Sequence, residues 1–321
     1  MDLIYTDTRR KDIGVLKDYS FDLAFGADEN DFELTIDLPI HCCEINGLVY
    51  IEGTEYGGII DGILVRTVED KLTYRGRTWH GILASKVIEP NPGKAYLTVS
   101  GDVNTIISDL LVRLGLDDLF TVESSQSNIL IDSYRFDRYI DAYTGLKKML
   151  DSASCKLKFS YIGNSVVISA SPIVDYSKDE QFDNDSVEME FEKSQNTVNH
   201  LICLGKGELT ERTVVHLYAD ASGNVSQKQT FFGVEEVTAT YEYPTVESIE
   251  ELVKNGTTKL QEYTSPNKVQ MNFTPESNTF DIGDIIGARE IVTGTSASAK
   301  VTKKIVTINQ GEVNIQYKVG E

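Results

Sequence analysis

From Asp31 to Leu38 every second residue is apolar: Phe32, Leu34, Ile36 and Leu38 share one face, and Asp31, Glu33, Thr35 and Asp37 share the other. A two-residue period fits an extended strand with one buried side, and no helix can bring those residues together. The run at 20–25, Ser-Phe-Asp-Leu-Ala-Phe, repeats the pattern, and the turn chemistry of Gly-Ala-Asp-Glu-Asn at 26–30 joins the two into a predicted hairpin. Further strand-like runs at 48–52, 58–66 and 72–75 make residues 1–98 a first β domain. The same signature ends the chain, where 280–289, 301–306 and 314–320 read as short strands with β-branched residues on alternating faces.

Between these ends the period changes. Val103, Ile106, Ile107, Leu110 and Leu114 fall on one helical face after Asp102, and Gly115 suits the residue after a helix end. A second helix is predicted over 141–153, with Tyr143, Leu146, Met149 and Leu150 inward and Lys147 and Lys148 outward. Strands at 156–161 and 165–170 join at Gly163-Asn164, so 99–174 forms a small α+β module. Thr78 can cap a short helix carrying Trp79, Ile82, Leu83 and Val87, which Pro90 and Pro92 stop. Residues 175–198 form an acidic connection, with seven carboxylates between 179 and 192 and a strand at 187–191. A second β domain, 199–321, has strands at 201–205 and 212–218, a turn at 222–224 and one helix at 248–263. Ser248 and Glu251 have capping-box spacing, and Ile249, Leu252, Val253, Leu260 and Tyr263 mark the buried face. Gly256 should bend or break that helix. The fold class is mainly β with an α+β insertion.

Charge excludes one class of function. The chain has 50 acidic residues against 30 basic ones, a net charge of −20 that repels nucleic-acid phosphates. Direct nucleic-acid binding is not expected. Residues 1–10 lack an apolar region and no later window is long enough for a bilayer, so no membrane insertion is expected. The cysteines Cys42, Cys43, Cys155 and Cys203 show no disulfide spacing, which suits a reducing cytoplasm.

No phosphate-cradling glycine loop and no GxSxG elbow occurs. Ser265 and Lys268 have serine–lysine spacing, but in a proline-containing turn. His41-Cys42-Cys43 is the one cluster of soft ligands, without a second pair to complete a zinc site, and His80, His200 and His216 each stand alone. Neither a metal nor a cofactor is expected. Fifty carboxylates single out no acid–base pair, and one tryptophan argues against a sugar platform.

Three segments together resemble the bacteriophage tail-hub or baseplate-hub family, also found in prophages and phage-like contractile particles. Residues 27–34, Ala-Asp-Glu-Asn-Asp-Phe-Glu-Leu, are similar to its NDFEL-type hairpin. Residues 74–90, Tyr-Arg-Gly-Arg-Thr-Trp-His-Gly-Ile-Leu-Ala-Ser-Lys-Val-Ile-Glu-Pro, resemble its GR…GIL…RVI.P run, with Lys86 where an arginine is usual. The closing stretch 280–320 resembles its last barrel. The resemblance implies two tube-like β-barrel domains flanking the α+β module. Three copies then make a pseudo-hexameric homotrimer, because two similar barrels per chain turn three-fold symmetry into near six-fold contacts.

Such a ring closes the distal end of a tail tube. Its implied partners are a tail tube or distal-tail ring protein above and a spike, fibre or tail-tip protein below. Its implied place is the virion tail, assembled in the host cytoplasm; the net charge of −20 adds the hypothesis of an acidic lumen to which passing DNA does not stick. Many relatives carry a C-terminal hydrolase or fibre, whereas this chain stops at Glu321. Either enzymatic function sits on another protein or a following segment has been trimmed, and the expectation is a hub with no chemistry of its own. The rival readings are a cell-wall (peptidoglycan) hydrolase using a carboxylate pair in the central module, and a carbohydrate-binding adhesin. At the subunit contacts Arg75, Arg77 and Trp79 are candidates, since arginine and tryptophan are favoured interface anchors. A salt-bridged strand end and a core indole are the structural alternatives for them.

Overall fold

A computed structural model of the chain describes residues 1–123, 127–178, 181–183, 188–193, 198–221, 223–244, 246, 248–263, 267–273, 279–289, 291–292 and 296–320. The chain forms two compact units, Met1–Met189 with Gln270–Glu321, and Glu190–Val269. The first unit opens with β1 (Leu3–Thr6), β2 (Asp12–Leu16), β3 (Ser20–Gly26), β4 (Asp31–Asp37), β5 (Leu48–Tyr50), β6 (Gly57–Arg66) and β7 (Lys71–Thr78). The predicted hairpin is β3–β4, with Phe21 opposite Leu34 and Leu23 opposite Phe32. Phe21, Leu23, Phe25, Phe32, Leu34 and Ile36 are all buried, each contributing about 1.5–3 kcal/mol of burial.

Next come α1 (Trp79–Ala84), β8 (Val87–Ile88), β9 (Thr98–Asp102), α2 (Val103–Leu114), β10 (Phe120–Val122), β11 (Leu130–Arg135), β12 (Ile140–Asp141), α3 (Ala142–Asp151), β13 (Cys155–Ile162) and β14 (Ser165–Pro172). Thr78 and Gly115 act as read from sequence, and Asp102 and Asp141 add N-caps that the sequence reading does not name. α1 ends at Ala84, so Val87 falls in β8 rather than in the helix that Pro90 and Pro92 are expected to stop. Thr78 Oγ1 accepts the Gly81 amide at 3.3 Å, Asp102 caps α2, Asp141 accepts the Thr144 amide at 2.8 Å, and Gly115 takes a φ of 66°. Trp79, Ile107, Leu110, Leu146, Leu150, Tyr161 and Ile168 belong to one core shared by these helices and β13–β14.

After β15 (Gln181–Asp183) and β16 (Glu188–Lys193), the second unit holds β17 (His200–Leu204), β18 (Val214–Ala219), β19 (Val225–Ser226), β20 (Thr238–Glu242) and α4 (Ile249–Tyr263). Its sheet runs β19-β18-β17-β20, with Leu201, Cys203, Leu217, Leu252 and Leu260 in the core. Gly256 does not break α4, which is continuous. A Cβ there would lie 2.4 Å from Cys203 Sγ and 2.8 Å from Leu217 Cδ1, so the glycine is what lets the helix approach the sheet.

The chain returns through β21 (Asn267–Phe273), β22 (Ile285–Arg289), β23 (Ser296–Asn309) and β24 (Glu312–Val319). The closing strands join the opening sheet. β23 pairs with β3, Val306 opposite Leu23 and Ile308 opposite Phe21, giving the antiparallel order β24-β23-β3-β4-β7-β6-β5-β1-β2. The chain is thus mainly β, as expected. Among the described residues no barrel closes within it, because β2 ends the sheet without a further partner.

Candidate functional site

The first unit holds a half-open cavity of about 620 Å³ walled by the 53–56 turn, α3, β13, the 279–283 segment and β23. Its chemistry runs against the acidity of the chain, for six lysines (Lys147, Lys148, Lys156, Lys158, Lys300, Lys304) line it against the carboxylates Glu55, Asp151 and Asp281. Strand alternation sends Cys155, Phe159 and Tyr161 into the core and turns Lys156 and Lys158 the other way. In β23 a register shift between Val301 and Lys303 breaks the alternation, so Lys303 and Lys304 are both buried.

Buried ammonium groups need counterions, and here they have them. Lys156 Nζ donates to both oxygens of Asp284 at 2.6 and 2.7 Å and lies 2.9 Å from Asp281 Oδ2. Asp284, wholly buried, also accepts the Val174 and Asp281 amides at 2.9 and 3.0 Å. Lys304 Nζ donates to Glu55 Oε1 at 2.6 Å and stands 3.6 Å from Asp281 Oδ1, while Lys158 reaches Asp281 at 3.2 Å. Burial alone would raise the Asp281 pKa, but the Lys156 hydrogen bond and the charges of Lys304, Lys156 and Lys158 outweigh it and hold it at about 2. Burial pulls the Lys304 pKa down, and the charges of Glu55, Tyr317 and Asp281 with the Glu55 hydrogen bond raise it above the usual value.

Two groups on this cavity are not compensated in that way. Lys147 rests 5.1 Å above the Tyr143 ring, and among the described residues no carboxylate lies within ion-pair distance of it. Burial lowers its pKa; Asp141 and Asp151 act against this, and Lys300 adds to it. His80, 2 % exposed, packs on Phe25 and Phe159 at 4.5 and 4.2 Å, with Nε2 4.0 Å from Glu55. Its Nδ1 has no partner, and burial, then the charges of Lys304 and Lys147, keeps its pKa well below the usual value and the ring neutral.

The residues singled out as interface anchors part company. Arg75 lies on β7, half exposed, 2.7 Å from Glu33 of β4. Arg77 forks onto Asp61 with both contacts at 2.8 Å and donates to Ser85 at 2.9 Å. Trp79 is wholly enclosed by its own chain, its ring 5.6 Å from that of Tyr161, and so is a core indole with no surface to offer a second chain.

The histidines are not all isolated. In the second unit His200 Nε2 and His216 Nδ1 lie 2.8 Å apart, and His200 Nδ1 is 2.7 Å from Glu236 Oε1. Nothing in the spacing of single histidines announced this, but pairing β17 with β18 in register places them as diagonal neighbours. His41-Cys42-Cys43 lies in an irregular stretch whose Cys42 and Cys43 amides donate to Tyr74 Oη at 3.1 and 3.2 Å. Among the described residues no group of three or more His, Cys, Asp or Glu is placed to hold a metal. Ser265 lies outside the described residues.

No protein-family model matches the chain, and no curated protein matches its sequence. Solved structures do match its fold. The 43 kDa tail protein of prophage MuSo2 from Shewanella oneidensis superposes with a TM-score of 0.61 at 12% identity, over 99% of this chain and 98% of that one. The prophage tail protein gp18 from Listeria monocytogenes gives 0.54 at 10% identity, over 100% and 94%. The tail protein from Neisseria meningitidis gives 0.53 at 12% identity, over 100% and 96%. At these identities the likeness defines the fold. The chain has a phage tail-protein fold along its whole length, in agreement with the tail-hub resemblance of its sequence.

Proposed function

We propose that the chain is a structural tail hub. It closes the distal end of a phage or phage-like tail tube as a homotrimer, meets a tube or distal-tail ring protein on one face, and carries a spike, fibre or tail tip on the other. The observation that carries this reading is the end-to-end superposition on prophage tail proteins, which takes in the insertion as well as the sheets. The β-rich portions 1–98 and 199–321 supply the tube-like domains of the ring, with 99–174 and the 175–198 connection between them.

The surface of the first unit supports subunit contacts. The β6–β7 hairpin exposes Ile63, Val65 and Val68, the last at 98 %, and the free-edged β2 exposes Ile13 and Val15. An unpaired edge with apolar side chains is the kind of surface that a neighbouring copy covers. Arg75 and Arg77, on the same hairpin, are the polar candidates at that contact, and the part is structural rather than catalytic.

Sedimentation velocity over a concentration series, with negative-stain imaging of the same samples, tests the proposal. Three-chain rings are expected, and Val65→Asp with Val68→Asp should return them to single chains. A protein that stays monomeric at the highest concentration, alone and when mixed with its tube protein, would refute the hub reading.

A further inference from the structure

The geometry points to a second function for the lysine-lined cavity of the first unit: a binding site for a small amphipathic organic anion. The ligand's carboxylate, phosphate or sulfonate sits at Lys147 and its ring or short chain against Tyr143, Phe159 and Ile282. The argument begins from compensation. Lys156, Lys158, Lys300 and Lys304 are each matched by Asp284, Asp281, Asp151 or Glu55, so their charges are accounted for by folding. Lys147 is not matched, yet it is drawn from water far enough for burial to depress its pKa. A partly desolvated cation with no ion pair is costly, and its long stem could have carried the charge outward to solvent. It instead lies over Tyr143 at the cavity.

His80 is the second and independent observation. It lines the same cavity, is 2 % exposed, and keeps Nδ1 without a hydrogen-bond partner. A neutral buried imidazole offers a ligand one hydrogen bond without repelling it. The cavity volume, about 620 Å³, falls in the range of about 300–1,000 Å³ typical of small-molecule sites, and the walls carry both apolar and cationic groups. In a chain with 50 acidic and 30 basic residues, six lysines around one cavity are a local reversal of charge that the fold maintains. The site stands on these contacts alone and does not depend on the hub reading.

The fluorescent anion 8-anilinonaphthalene-1-sulfonate is the probe for the full-length folded protein. Saturable binding of one probe per chain is expected. Lys147→Gln should weaken it about tenfold to a hundredfold, the loss of a charge-assisted contact, and Lys147→Arg should retain it. Lys94→Gln removes the same formal charge from an exposed position outside the cavity and should leave binding unchanged. A competitor pair needs no variant: 1-naphthoate should displace the probe at least about ten times better than the neutral 1-naphthalenemethanol. Absence of saturable binding overturns the proposal, as does equal displacement by the two competitors. Equal weakening by Lys147→Gln and Lys94→Gln would also overturn it, since the effect would then be one of overall charge.

Discussion

Replacing Lys156 by methionine tests whether the closing segment is held by a buried charge pair. Methionine keeps the length and apolar body of the side chain and removes only the ammonium. Asp284, 0 % exposed, would then be left with two backbone amides, those of Val174 and Asp281, as its sole compensation. Removing one partner of a buried pair costs about 3–5 kcal/mol, and nothing here lowers that figure, because Lys156 is itself only 7 % exposed. Asp284→Asn should cost a similar amount, since its amide group would face the Asp281 N–H that the carboxylate now accepts. The double variant carries neither charge and leaves about one amide unsatisfied, about 1–3 kcal/mol. The two single costs should therefore exceed the double cost by at least about 2 kcal/mol. Trp79 makes the assay selective. It is the only tryptophan of the chain, it is fully buried in the first unit, and its fluorescence during urea unfolding reports that unit. A Lys156→Met change below about 1 kcal/mol, or strictly additive single variants, would refute the reasoning.

Three further outcomes follow from the same contacts. Gly256→Ala should destabilise the second unit by about 1–3 kcal/mol despite alanine's better helix propensity, because its Cβ would meet Cys203 Sγ; a raised melting temperature by circular dichroism would contradict this. Asp281, held at about 2 against an ordinary 3.8, contributes about 2 kcal/mol that is fully present above pH 4 and lost as pH falls towards 2. The stability difference between the protein and Asp281→Asn should shrink over that window, and a difference independent of pH would sink the assignment. Asp102→Ala removes the acceptor of the Asn104 and Thr105 amides and should cost about 1 kcal/mol in urea, with an unchanged midpoint counting against the cap.

What the sequence showed was local. The β3–β4 hairpin follows from alternation around a polar turn, and α2 and α3 follow from apolar residues at helical spacing, with Gly115 ending α2. What it hid was pairing across distance. Thr307 and Asp22 are hydrogen-bonded side chains 285 positions apart, and no periodicity in either strand names its partner. The buried lysines were hidden for the same reason: a lysine reads as exposed until its counterion is known, and Asp284 is 128 positions from Lys156. Lys147 and Lys148 both read as outward. Both line the cavity, but Lys148 meets Asp137 at the surface, whereas Lys147 rests over the Tyr143 ring. A legible sign did exist in β23, where Lys303-Lys304 interrupts Val301, Ile305 and Val306, the mark of a strand irregularity.

The way the first unit's sheet is completed bears on how a chain of this fold can vary. Its sheet is completed only when β23 lies against β3, and Lys303 to Glu29 and Lys304 to Glu55, each at 2.6 Å, fix the closing strand to the opening segments. Everything between Glu190 and Val269 is therefore an excursion from a unit that closes on itself. Lengthening such an excursion is cheap: doubling a flexible loop adds only about 0.6 kcal/mol of closure entropy. This excursion moreover has its own core of Leu201, Cys203, Leu217, Leu252 and Leu260, which supports its ordering. The exposed apolar hairpin and the free edge strand belong to the self-closing unit, not to the excursion. In the hub reading, contacts that must match a neighbouring copy are thus built on the part whose geometry closure fixes.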